Sequence, residues 1–191
     1  MQRSVLSNAL SIAVLALLLA TTHTACSRTS AAANAKATQI ERGQYLVATS
    51  GCNDCHTPMK LGLNGPEPDM SRFLSGHPED FTVGPPPNLG EGGWLWAGTA
   101  TNTAFAGPWG ISFAANLTPD TETGMGIWTE EMFIKTMREG KIYGGGRQIM
   151  PPMPWPAYRN LSDDDLKAVF AYLQSLQPIT NHGPEYRPPA G

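Results

Sequence analysis

Positive charge is scarce and dispersed in this chain: 13 Lys and Arg stand against 16 acids in 191 residues, for a formal net charge of -3, with no basic run. A nucleic-acid partner needs clustered cations on one face, so that class is excluded. Long apolar runs are missing too. The longest, Leu10 to Ala20, falls short of the roughly 18–20 residues that cross a bilayer as a helix. Cysteine is limited to three residues, and no second Cys or Cys/His pair stands at zinc-ligand spacing. What is plentiful is glycine (20) and proline (17), which interrupt helices and strands and imply long irregular segments. The hydrophobic share of 41% suffices for one core, so a single domain with appendages is expected.

Arg3, the apolar run and the small residues Thr21 to Ala25 read as an export signal over residues 1–25. Cys26, between Ala25 and Ser27, resembles a bacterial lipoprotein site, where the cysteine is acylated. His23 departs from that pattern, and the rival is ordinary cleavage near Ala25 or Ala35 that leaves a soluble protein. The expected location is the periplasm, soluble or lipid-anchored through Cys26. Residues 26–37 read as a flexible tether, 38–178 as the domain, and 179–191 as a loose Pro-rich tail.

Within the domain, a short helix over Thr38 to Thr49 carries Gly43 in its interior. From Lys60 to about Gly110 an irregular insert follows, and Gly65-Pro66-Glu67-Pro68 and Gly84-Pro85-Pro86-Pro87 are expected to form no regular element. A small hairpin around Gly107-Pro108-Trp109-Gly110 is the exception. The insert reads as a cover on a fold whose helices lie outside it, with Trp94, Trp96, Phe105 and Trp109 as its own small core. Two helices close the domain. Thr129 caps the first, with Glu130 and Glu131 at its positive end, and Gly140 stops it. Ser162 caps the second, Asp165 completes a capping box, Leu166, Val169, Phe170 and Leu173 form one apolar face, and Pro178 stops it. Asp163, Asp164 and Asp165 are thus helix-start acids rather than a metal site.

The chemistry lies in Cys52-Asn53-Asp54-Cys55-His56, a c-type haem attachment sequence. On a helical turn, Cys52 and Cys55 face one way and can each add to one vinyl group, while His56 projects toward the iron. A thioredoxin-like pair would sit in a βαβ pattern, which is not visible, and a structural disulfide leaves His56 unexplained. A second axial ligand is commonly Met. Met150-Pro151-Pro152-Met153-Pro154 offers two, held in a loop that proline stiffens. Met125, Met132 and Met137 read as core fillers. His77 and His182 are the remaining alternative ligands.

With its Gly-containing helix, Cys-x-x-Cys-His, Met-Pro loop and Leu-Ser-Asp-Asp-Asp-Leu before Phe-Ala-Tyr-Leu, the chain resembles the class I cytochrome c family over residues 38–178. The resemblance implies an all-α fold whose N- and C-terminal helices cross around haem, with Gly43 against Phe170 or Tyr172. More narrowly, Asn116-Leu117-Thr118-Pro119-Asp120, Gly124-Met125-Gly126-Ile127-Trp128 and Met153-Pro154-Trp155 are similar to runs in cytochrome domains associated with membrane-bound alcohol, sorbitol and gluconate dehydrogenases. There the axial Met lies eight residues before the Leu that introduces the last helix, which implies Met153, with Met150 as runner-up. One attachment motif rather than three implies one covalent haem c. The expected work is single-electron transfer between redox proteins, a dehydrogenase as donor and an oxidase or cytochrome as acceptor. The alternatives are a haem enzyme or gas sensor with an open sixth site, or the haem subunit of a dehydrogenase complex.

Overall fold

A computed structural model describes residues 32–90 and 92–189, so the export segment and Cys26 lie outside the described residues. Residues 32–38 stand apart from the larger compact unit, which begins at Gln39. Residues 32–38 are helical and exposed where a flexible tether was expected, and Thr38 Oγ1 donates back to Asn34 O across one helical turn.

In the larger unit the order is α1 (through residue 49), α2 (Cys52–His56), β1 (Met59–Gly62), β2 (Gly65–Pro68), β3 (Ala97–Gly98), β4 (Ala104–Gly107), β5 (Gly110–Phe113), α3 (Glu130–Glu139), α4 (Trp155–Tyr158) and α5 (Asp163–Gln174). The two closing helices start where their caps place them. The Thr129 hydroxyl accepts from Met132 N–H, and the Ser162 hydroxyl from Asp165 N–H at 3.1 Å. The Asp165 carboxylate accepts from Arg42 Nε of α1 at 2.9 Å, tying the first helix to the last. α5 ends at Gln174, ahead of Pro178, because Ser175 caps it and its hydroxyl bonds Tyr172 O.

Gly43 lets α1 and α5 cross. A Cβ there would lie 1.9 Å from Ala168 O and 2.7 Å from Tyr172 Cβ, so of the two expected partners Tyr172 is the one found against it. Around the crossing, Leu46 and Val47 meet Leu166, Val169, Phe170 and Leu173, with Phe133 of α3 stacked at 5.6 Å from Phe170.

The fold is not strictly all-α. β1 and β2 form an antiparallel ribbon, and β3-β4-β5 a small antiparallel sheet whose β4–β5 turn is the expected Pro108–Trp109. β2 is Gly65-Pro66-Glu67-Pro68, the run expected to be irregular. It survives because it pairs on one side only, and an edge strand tolerates residues without N–H.

The insert is more than a cover. Leu74, Ser75 and His77 are fully or almost fully buried; Leu74 N–H donates to Thr57 Oγ1, and Gly76 N–H to the carbonyl of His56. Nor is the tail loose. Arg187 pairs with Ile111 beside β5, Thr180 donates to Asp120, and buried Asn181 donates to Ser75 O (2.7 Å) and His77 O (2.8 Å) while accepting from Glu79 N–H. Its polar side chains replace the apolar face a helix would need, so hydropathy gives no sign of the docking. Asn181→Ala should strand those three partners, at about 1–3 kcal/mol for each buried group left unpaired. A thermal midpoint equal to the wild type's would show that the tail adds no stability.

Candidate functional site

The sequence packs Cys52, Cys55 and His56 into one helical turn, and the surrounding loops decide what that turn presents. His56 is 8% exposed, and its Nδ1 lies 2.7 Å from Ala115 O. A carbonyl only accepts, so Nδ1 carries the proton and Nε2 keeps a free lone pair. Burial pulls the imidazole's pKa down, against a smaller upward push from the Ala115 bond. The neutral form that a metal ligand requires is thereby favoured.

Both thiols are free. Burial pushes Cys52 up to about 11, and burial raises Cys55 as well. A redox-active Cys-x-x-Cys shows the opposite, a depressed thiol, so the dithiol reading loses its chemical basis.

Cys52, Cys55 and His56 open onto a cavity of about 620 Å³. Leu46, Phe133 and Val169 give it an apolar wall, and both Met150 and Met153 line it. The methionine loop is tied down at several points. Ser112 Oγ of β5 donates to Pro151 O at 2.6 Å, and Ile149 N–H to Gly140 O at 2.8 Å. α4 continues directly from Pro154, with Trp155 packed on Gly140, whose φ of 68° and missing Cβ leave room for the indole. Tyr158 OH then donates to Ser50 O at 2.6 Å, two residues before Cys52. Arg138 bonds the carbonyls of Arg159 and Leu161 and pairs with Asp163 at 2.5 Å, closing the turn into α5. Nothing in the spacing of Arg138, Ser112 or Tyr158 marked them beforehand, because each reaches a backbone carbonyl far away in sequence.

The other candidates fall elsewhere. His77 is fully buried, with Nδ1 on Thr103 Oγ1 and Nε2 on Phe81 O, so neither ring nitrogen is available and it does not line the cavity. His182 donates its backbone N–H to Glu79 Oε2 and is also absent from the lining. The aromatic residues divide. Trp94 is 71% exposed, whereas Phe105 is buried and Trp96, edge-on to it at 5.8 Å, joins it on the cavity wall. They form a rim rather than a separate small core. Met125 is buried as expected, whereas Met132 is exposed.

The residues present fit a haem. An apolar slot carries two thiols, one imidazole nitrogen with a free lone pair, and two thioethers. Thr136 also lines the slot, and its buried hydroxyl has no hydrogen-bond partner within the protein. These features define the haem-binding class.

The family model for cytochrome c matches residues 40–177, and the chain belongs to that family. Electron transfer is the function this membership gives it. Among similar proteins is a subunit of the nicotinate dehydrogenase of Pseudomonas putida, 32% identical over 148 residues, which are 78% of this chain and 9% of that protein. The fructose dehydrogenase cytochrome subunit of Gluconobacter japonicus is 29% identical over 82% of this chain and 25% of its own length. The cytochrome c subunit of the quinone alcohol dehydrogenase of Gluconobacter oxydans is 28% identical over 73% of this chain and 22% of its own. The chain thus spans a quarter or less of the length of these relatives.

Proposed function

We propose that the protein carries single electrons on one haem c held by Cys52 and Cys55, with His56 and Met153 as the two iron ligands. The observation that carries this is the buried His56 ring, its Nδ1 committed to Ala115 O, beside two free thiols in a cavity that Met153 also lines. Each thiol adds across one vinyl group, sulfur to one carbon and hydrogen to the other, with no net oxidation. When bound, haem supplies the iron(III)/iron(II) couple: one electron enters from a reduced donor and the same electron leaves to an acceptor. The chain's own part is to hold one imidazole and one thioether in place and to keep water out with Leu46, Phe133 and Val169. Holding the ligands rigidly keeps the geometry alike in the two oxidation states.

The donor is a dehydrogenase, a proposal supported by the dehydrogenases to which the similar cytochrome subunits belong, and the acceptor is an oxidase or a second cytochrome. The site of action is the periplasm, with Cys26 as a candidate lipid anchor; a mature chain that begins at Lys36 would remove the anchor.

The decisive test is extraction of the exported protein with acid-acetone. Colour should remain with the protein, and Cys52→Ala and Cys55→Ala should each leave one thioether, visible as a shifted pyridine haemochrome band. Haem that passes wholly into the organic phase from the folded wild type would end the reading.

A further inference from the structure

A histidine that ligates a metal is oriented by the hydrogen bond of its other nitrogen, so the acceptor must itself be held. The Ala115 carbonyl on His56 belongs to the site already described. What holds that carbonyl lies behind it, in the insert and the tail.

Segment 74–77 runs antiparallel to segment 114–117. His77 N–H donates to Ala114 O at 2.9 Å, and Leu117 N–H to Leu74 O at 2.9 Å. Between these two bonds, buried Gly76 lies against the Ala115 peptide with a φ of 81°. A Cβ there would stand 2.6 Å from Ala115 C and 2.7 Å from its oxygen. The N–H of the same glycine donates to His56 O at 2.8 Å. One residue thus touches both the backbone of His56 and the acceptor of its ring.

Gly76 is gripped in turn from the tail. The Asn181 amide spends its two N–H groups on the carbonyls either side of it, Ser75 O at 2.7 Å and His77 O at 2.8 Å. Its Oδ1 accepts from Glu79 N–H at 3.0 Å, and His182 N–H donates back to Glu79 Oε2. Carbonyls only accept, so the amide can meet both of them only with its nitrogen. Asn181, Ser75 and His77 are all buried, so water does not stand in for a lost bond.

We infer that Asn181, acting through Gly76, is a positioning residue for the His56 imidazole and so sets the potential of the iron that His56 holds. The inference rests on the haem site proposed above. Asn181 is absent from the cavity lining, so its whole effect passes through the backbone. A ring whose N–H is firmly accepted by a carbonyl is the more basic ligand. A more basic ligand favours ferric iron over ferrous, so a firm bond to Ala115 keeps the potential low. Freeing segment 74–77 slackens that bond, and the potential rises.

The experiment uses the haem-loaded protein and two readouts. These are the midpoint potential at neutral pH and the exchange lifetime of the His56 Nδ1 proton, followed by NMR in the diamagnetic ferrous state. Asn181→Ala should raise the potential and shorten the lifetime, by about tenfold if the loss equals one ordinary hydrogen bond. Gly76→Ala should move both further in the same direction, because its methyl displaces the Ala115 carbonyl directly. Thr180→Ala cuts the neighbouring tie to Asp120 and should match the wild type in both. An Asn181→Ala protein that melts earlier yet keeps both readouts overturns the inference and makes Asn181 a structural tie alone. An equal rise in Thr180→Ala overturns it as well, by assigning the effect to general loosening of the tail. Should Gly76→Ala yield no holoprotein, Asn181→Ala decides. A wild type that holds no haem overturns the site itself, and this inference with it.

Discussion

Gly43→Ala is expected to destabilise the protein by about 3 kcal/mol or more, and Gly43→Val to prevent accumulation of folded holoprotein. In an isolated helix the sign would be reversed, since alanine is favoured over glycine by about 1 kcal/mol. Here the added carbon would meet Ala168 O at 1.9 Å, Ala168 C at 2.6 Å and Tyr172 Cβ at 2.7 Å. Those atoms are backbone or the first atom of a side chain, so no rotamer change relieves the clash and the two helices must part. Overpacking in a close-fitting core commonly costs about 1–3 kcal/mol. This contact lies at the upper end because separation also loosens Leu46 and Val47 from Leu166 and Leu173. Against a total stability of about 5–15 kcal/mol, such a loss is large. The effect should reach the site as well, because α1 leads through Ser50 into Cys52. Thermal unfolding of the purified variants decides it: a raised midpoint for Gly43→Ala would mean that α1 and α5 do not touch at this position.

What could be read beforehand was whatever leaves a local mark. Thr129 and Ser162 announce helix starts because a capping hydroxyl must stand next to the turn it serves. Cys52, Cys55 and His56 announce a site because one helical turn fixes their spacing. Gly43 announces a close approach because a glycine inside a helix is otherwise a cost. The unread features share a different property. The partner of His56 is the carbonyl of Ala115, and Ser112, Tyr158 and Asn181 also bond main-chain carbonyls, a group every residue carries and none advertises. Leu74 and His77 are buried among segments that resemble surface loop, because the buried polar groups there are satisfied one by one rather than by a ladder. The proline-containing β2 was hidden by the same rule that usually identifies loops. Edge position, which sequence does not disclose, is what suspends that rule.

Met153→Ala should let the reduced protein bind carbon monoxide rapidly at neutral pH, where the reduced wild type does not. Both methionines of the loop line the cavity, so the choice between them rests on how each is held. Met153 is followed at once by Pro154 and α4, and that helix is fixed twice: Trp155 lies against Gly140, and Tyr158 bonds Ser50 beside Cys52. Its backbone is therefore tied directly to the end of the cavity that carries the thiols. Met150 stands on the other side of Pro151, whose carbonyl is held by Ser112 Oγ, and its route to the thiol end passes through Met153 itself. A thioether on iron is a soft ligand that favours the ferrous state and fills the sixth position. Removing it opens that position without touching His56 or either cysteine. Haem content should thus be unchanged, while Met153→His should keep a six-coordinate iron at a lower potential. Met150→Ala should leave carbon monoxide binding absent and cost only the packing of a half-buried side chain, about 1–2 kcal/mol. Carbon monoxide difference spectra of the four reduced proteins separate the outcomes. Binding confined to Met150→Ala would transfer the ligand to Met150. Complete binding by the wild type would mean an open iron, and a catalyst or gas sensor would then replace the electron carrier.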